Sequence, residues 1–178
     1  MRDRLPSRHD VVQVFAVLWF AVAGWTFDRF SWQFASWSNF LDVETLVGIL
    51  AYRIAASLLE SLIILAFLLV LCLIFPPKYL KENFTAKGTI FVLILCGSLF
   101  GFWNLFNARS PGVIMADYAA LWLICTVVIA LLIAHFSVKI KKVSAIICWI
   151  SDRMTVFLYL LVPITASGFV IILVRNIF

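Results

Sequence analysis

Five long apolar runs decide what this chain can become. They cover residues 11–27, 46–75, 88–106, 113–136 and 154–174. A helix needs ~20 predominantly apolar residues to cross a bilayer. Inside lipid, every backbone N–H and C=O must find its partner within the segment, so each run is expected to be helical. Composition agrees. Of 178 residues, 65% are hydrophobic and 13% charged, where soluble domains run near about 45–50% and 25%. The expectation is an all-α integral membrane protein with a single membrane domain over residues 1–178.

The charges give this layout a direction. The N-terminus carries Arg2, Arg4 and Arg8. The second connection carries Lys78, Lys81 and Lys87, and the fourth carries Lys139, Lys141, Lys142 and Arg153. These ten alternate with ends holding only Arg29, Arg109 and Arg175. Positive charge stays on the cytoplasmic side. The N-terminus is therefore expected inside and the C-terminus outside, in a multi-pass protein of the cytoplasmic (inner) membrane. The net charge of +5 sits at span ends, where it meets anionic lipid heads, so it does not point to nucleic acid. A basic leader followed by Ala21-Val22-Ala23 also has the look of a cleavable signal peptide. The apolar pattern continues past that point through Trp25 and Phe27, which favours an uncleaved span.

Between the first two spans, Phe27, Phe30, Phe34, Trp37 and Leu41 share one helical face, and Ser31, Gln33, Ser36 and Ser38 occupy the others. An amphipathic interfacial helix over about residues 29–41 is expected on the outer side. Phe30, Phe34 and Trp37, with Trp103 at the outer end of span three, are the candidate lipid contacts. The alternative is an aromatic belt that only anchors. Asp42 is expected to cap the second span, with Glu44 in its first turn.

That second span holds the most informative residues. Glu60 lies among apolar neighbours, with Arg53 one heptad earlier on the same face. A carboxylate at that depth is costly unless it is paired, protonated or hydrogen-bonded. Thirty residues make ~45 Å of helix, longer than the hydrocarbon core. The first turns then stand in the interface, Arg53 snorkels near the outer boundary, and Glu60 lies ~10 Å deeper. Small neighbours (Gly48, Ala55, Ala56, Ser57 and Ser61) let another helix approach. By depth, Arg53 is expected to meet Asp117, Asn104 or Asn107, and Glu60 the level of Ser98 and Gly97. The set reads either as a proton or substrate site or as a polar clasp between helices.

Other motifs are less specific. Gly97 and Gly101 form a G-x-x-x-G packing pattern. Asp152-Arg153 is expected to start span five, with a short interfacial turn over 143–150 before it, and Pro163 to kink it. Cys72, Cys96, Cys125 and Cys148 show no C-x-x-C spacing. His9 and His135 are not placed as opposed haem ligands, and no metal, Walker or G-x-S-x-G motif occurs. No cofactor is expected.

Five spans, N-inside and C-outside, with an outer interfacial helix after the first, resemble the membrane domain of sulfatase-fold lipid-headgroup transferases, the lipoteichoic acid synthase and phosphoethanolamine transferase type. The long second span with Arg53 ending at Pro76-Pro77, and the stretch from Asp152-Arg153-Met154-Thr155 to Arg175-Asn176, carry the likeness. It implies a metal-dependent catalytic domain with a nucleophilic Thr or Ser, outside the membrane and after span five. No catalytic residue of such a domain falls within this chain, so the likeness implies a detached membrane half, a shortened record or a relative without the enzyme. Three functions follow as expectations: a non-catalytic anchor, scaffold or accessory subunit; the membrane half of such a transferase system; or a small transporter or substrate-binding membrane component using Glu60. Expected partners are membrane lipids and a partner membrane subunit or extracytoplasmic enzyme domain.

Overall fold

The computed structural model describes residues 5–76, 80–107 and 113–177, without the side chains of 106–107 and 113–117. Pro77, Lys78 and the turn over 109–112 lie outside the described residues, as do the side chains of Asn107 and Asp117. Five helices make the fold: α1 (Arg8–Trp37), α2 (Val43–Ile74), α3 (Phe84–Asn107), α4 (Val113–Ser137) and α5 (Lys141–Ile177). All five are long and apolar enough to cross a membrane, and no strand occurs among the described residues.

Local chemistry sets the helix ends. Ser7 caps α1 in an extended conformation, its hydroxyl accepting from the Asp10 N–H at 3.2 Å. The same hydroxyl donates to the Asp10 carboxylate at 2.7 Å. Asp42 occupies the N-cap of α2 as expected, yet its carboxylate makes no capping hydrogen bond. Glu44 does stand in the first turn. At the far end Phe75 turns extended (ψ 148°), because the ring of Pro76 disfavours the helical region for the residue before it. Asn83 takes a left-handed conformation (φ 58°) just before α3, which asparagine tolerates better than most residues.

Two expected boundaries are corrected. The helix expected over 29–41 is not separate: α1 runs unbroken to Trp37. Nor does Asp152-Arg153 begin the last span. The expected interfacial turn and span five form one helix from Lys141, which continues through Pro163.

Helix α1 packs against α2, α3 and α5. Helix α5 also packs against α2 and α3, while α4 rests on α3. The central apolar cluster includes Val14, Leu18 and Val22 of α1, Leu68 and Cys72 of α2, Phe91, Val92 and Leu95 of α3, and Ala130 of α4.

Two polar rungs cross this bundle. Near the chain's start, the Gln13 amide donates to the Asp152 carboxylate at 3.2 Å. The Thr85 hydroxyl lies 3.0 Å from Asp10 Oδ1 and 3.1 Å from Gln13 Oε1. Thr89 and Ser151, both buried, pair through their hydroxyls at 2.8 Å. At the opposite end, Arg53 donates to Gln33 at 2.6 Å and Arg29 donates to Asn104. Gln13 and Gln33 stand 20 residues apart on α1, which is ~30 Å of helix, the thickness of the hydrocarbon core. The two rungs are thus about one hydrocarbon thickness apart. Replacing Gln13 with leucine removes two interhelical contacts of the first rung. The expected loss is ~1 kcal/mol, read as a lower midpoint of detergent-induced unfolding. An unchanged midpoint would show that the rung contributes nothing.

Candidate functional site

An open cleft of about 200 Å³ lies between α1 and α2 at the second rung. Helix α1 supplies Trp25, Thr26 and Arg29, and α2 supplies Arg53, Ala56, Ser57 and Glu60. The residues of each helix recur at intervals of three or four, so they share a face. Small side chains at Thr26, Ala56 and Ser57 leave the floor open. Ser57 is buried, and its hydroxyl donates back to the Ile54 carbonyl at 2.8 Å.

Both guanidinium groups are fixed in place. Trp25 stacks on Phe100 of α3 with ring centroids 4.3 Å apart and planes 5° from parallel. The Arg29 guanidinium sits 4.1 Å over the Trp25 ring and donates to the Asn104 amide oxygen. Arg53 sits 5.0 Å from the centre of the Trp37 ring and donates to the Gln33 amide oxygen. Rings and amides are neutral, so they orient the two cations without cancelling their charge. Arg29 Nε also lies 3.7 Å from the Asp28 carboxylate. Pairs this open to solvent contribute little. Glu60 is exposed to the cleft and has no hydrogen bond or ion pair with a described residue.

The expected partners are thus partly redrawn. Arg53 and Glu60 do share a site. Arg53 takes its partners from α1, however, because Gln33 and Trp37 stand at its depth. Asn104 reaches the site through Arg29 and not through Arg53. Ser98 faces elsewhere: its hydroxyl pairs with Thr126 at 2.8 Å and accepts from the Trp122 indole N–H at 2.8 Å. That separation follows from α3 packing on α4. Of the aromatic residues, Phe30 is buried beside Phe34 and Trp37. Phe34 and Trp103 are exposed, and Trp32 more so at 78%.

Arg29, Trp25 and Gln33 were not singled out from the sequence. Their signal was present, since Trp25, Arg29 and Gln33 recur every four residues along one stripe of α1. Among the described residues no group of acidic, histidine or cysteine side chains is arranged to hold a metal ion. No protein-family model, curated protein or solved structure matches this chain.

Proposed function

We propose that this chain is a non-catalytic scaffold or accessory subunit of the cytoplasmic membrane that binds a phospholipid headgroup in the α1–α2 cleft. The observation that carries this reading is the pair of guanidinium groups beside one cleft, Arg53 held by a neutral amide and ring and Arg29 by an amide, a ring and a solvent-open contact with Asp28. An anion with several acceptor oxygens satisfies both, and Arg is suited to phosphate by its planar fork of donors. The alternation of basic and near-neutral connections supports an outward-facing cleft. The aromatics beside the two cations, Trp25 and Trp37, suit the headgroup layer. A cleft of this kind is also what the membrane half of a lipid-headgroup transferase requires, which keeps that relationship as the second reading. Glu60 then serves the lipid site and not a path across the membrane.

The test measures phosphatidate retained by the purified protein, against diacylglycerol of the same chains, by native mass spectrometry. A charge-assisted hydrogen bond contributes ~1.5–3 kcal/mol. Arg29→Gln with Arg53→Gln should therefore lower phosphatidate binding by about 100-fold and leave diacylglycerol unaffected. Equal phosphatidate retention by both proteins overturns the proposal.

A further inference from the structure

The order of charges with depth says more about what the cleft holds. Arg53 stands level with Gln33 of α1, and Arg29 lies four residues, ~6 Å, further toward the middle of that helix. Glu60 follows Arg53 by seven residues on α2, which is ~10 Å further toward the membrane centre. Side chains on a helix lean toward its N-terminus, and the N-terminus of α2 lies at the cleft's end of the bundle. Both side chains therefore reach toward the rim while keeping their order.

A phospholipid in either leaflet presents its groups in a fixed sequence: headgroup, phosphate, backbone, chains. With phosphate between the guanidinium groups, a headgroup amine or alcohol points outward, away from Glu60. The backbone of the lipid faces Glu60 instead. A carboxylate only accepts hydrogen bonds. The backbone of a diacyl glycerophospholipid carries ester oxygens alone, so it sets acceptors against an acceptor. A backbone with a free hydroxyl or an amide N–H supplies the missing donor, and Glu60 has none from the described residues. A volume of about 200 Å³ is below the ~300 Å³ of a whole-ligand pocket, so it suits phosphate plus backbone with the chains left in lipid.

Resting on the headgroup reading above, we infer that the cleft selects phospholipids whose backbone carries a hydrogen-bond donor beneath the phosphate. Two sources share that chemistry: a lysophospholipid with its free glycerol hydroxyl, and a sphingoid phospholipid with its amide and hydroxyl. Thr26 and Ser57 also line the cleft, and both are small enough to admit such a backbone.

The experiment compares three probes with one common phosphate monoester: phosphatidate, 1-acyl lysophosphatidate and ceramide 1-phosphate. Each is titrated into the full-length protein in detergent and read by native mass spectrometry. The wild type should bind at least one donor-bearing probe about tenfold more tightly than phosphatidate. Preference for lysophosphatidate alone assigns the glycerol hydroxyl, for ceramide 1-phosphate alone the amide, and for both the shared donor. Glu60→Leu should erase the preference among the three probes. Glu60→Gln, whose amide oxygen still accepts, should retain part of it. Equal binding of all probes by the wild type overturns the inference, and so does a preference that survives in Glu60→Leu. Should Arg29→Gln with Arg53→Gln leave all three probes bound, the headgroup reading itself fails, a result separable from the others.

Discussion

Truncation of Phe91 to alanine should be among the most damaging single changes to this protein, with a loss of about 2–3 kcal/mol. Phe91 is fully buried in the cluster where α1, α2, α3 and α4 meet. In soluble proteins, Phe→Ala in a core costs about 3–5 kcal/mol, the sum of lost transfer to an apolar medium and a residual cavity. In a bilayer the first part shrinks, because lipid tails are as apolar as the core. The packing part remains, since a void leaves its lining without van der Waals contacts. Phe40→Ala is the control: that ring is 86% exposed, and its loss should move stability by less than about 0.5 kcal/mol. Both are read from the midpoint of unfolding in mixed micelles, followed by helical circular dichroism. Equal midpoints for the two variants would mean that the cluster around Phe91 is not the load-carrying centre of the bundle.

The spans were legible because hydrophobic length is nearly the whole physics of crossing a bilayer. Their ends were less so, and the reason is specific. The apolar pattern changes near Phe27 and near Met154, and both changes suggest a helix boundary. Yet nothing in Phe27-Asp28-Arg29-Phe30-Ser31 or in Ile150-Ser151-Asp152-Arg153-Met154 breaks a helix: no proline, no glycine. A change from apolar to mixed sequence does not end a helix, and α1 and α5 continue through it. By contrast Pro76 did end α2, because a proline acts on the backbone itself. The candidate site shows the same division. Arg53 and Glu60 were visible as charges in an apolar run. The partners of Arg53 were not, since depth on α1 becomes comparable only once that helix is known to extend to Gln33. The rung of Asp10, Gln13, Thr85 and Asp152 is assembled from three helices, and no spacing within one of them announces it.

Glycine provides the sharpest case, and the second large effect. Gly97 and Gly101 have the spacing of a close helix contact, yet a Cβ at either would meet nothing within 4 Å. Spacing fixes a face but not whether a neighbour lies against it. The close approaches occur at Gly88, where a Cβ would lie 3.0 Å from a Val14 methyl and 3.4 Å from Leu68, and at Gly168, 3.5 Å from the Ala51 carbonyl. Gly48 is covered by the Arg175 guanidinium. Gly88→Leu and Gly97→Leu therefore make a matched pair on one helix. Each gains about 1 kcal/mol of helix propensity, so this gain cancels between them. What differs is the space. A leucine at 88 drives its branches into the seam of α1, α2 and α3, and overpacking of that kind costs about 1–3 kcal/mol or more. Gly97→Leu should leave the unfolding midpoint unchanged or raise it, while Gly88→Leu should fall below Gly97→Leu by the equivalent of about 2 kcal/mol. Gly88→Ala, whose single methyl asks Val14 to yield by a few tenths of an ångström, should fall between. The reverse order, with Gly97→Leu the more damaging, would put the G-x-x-x-G face of α3 against a neighbour and displace Val14 from its place beside Gly88.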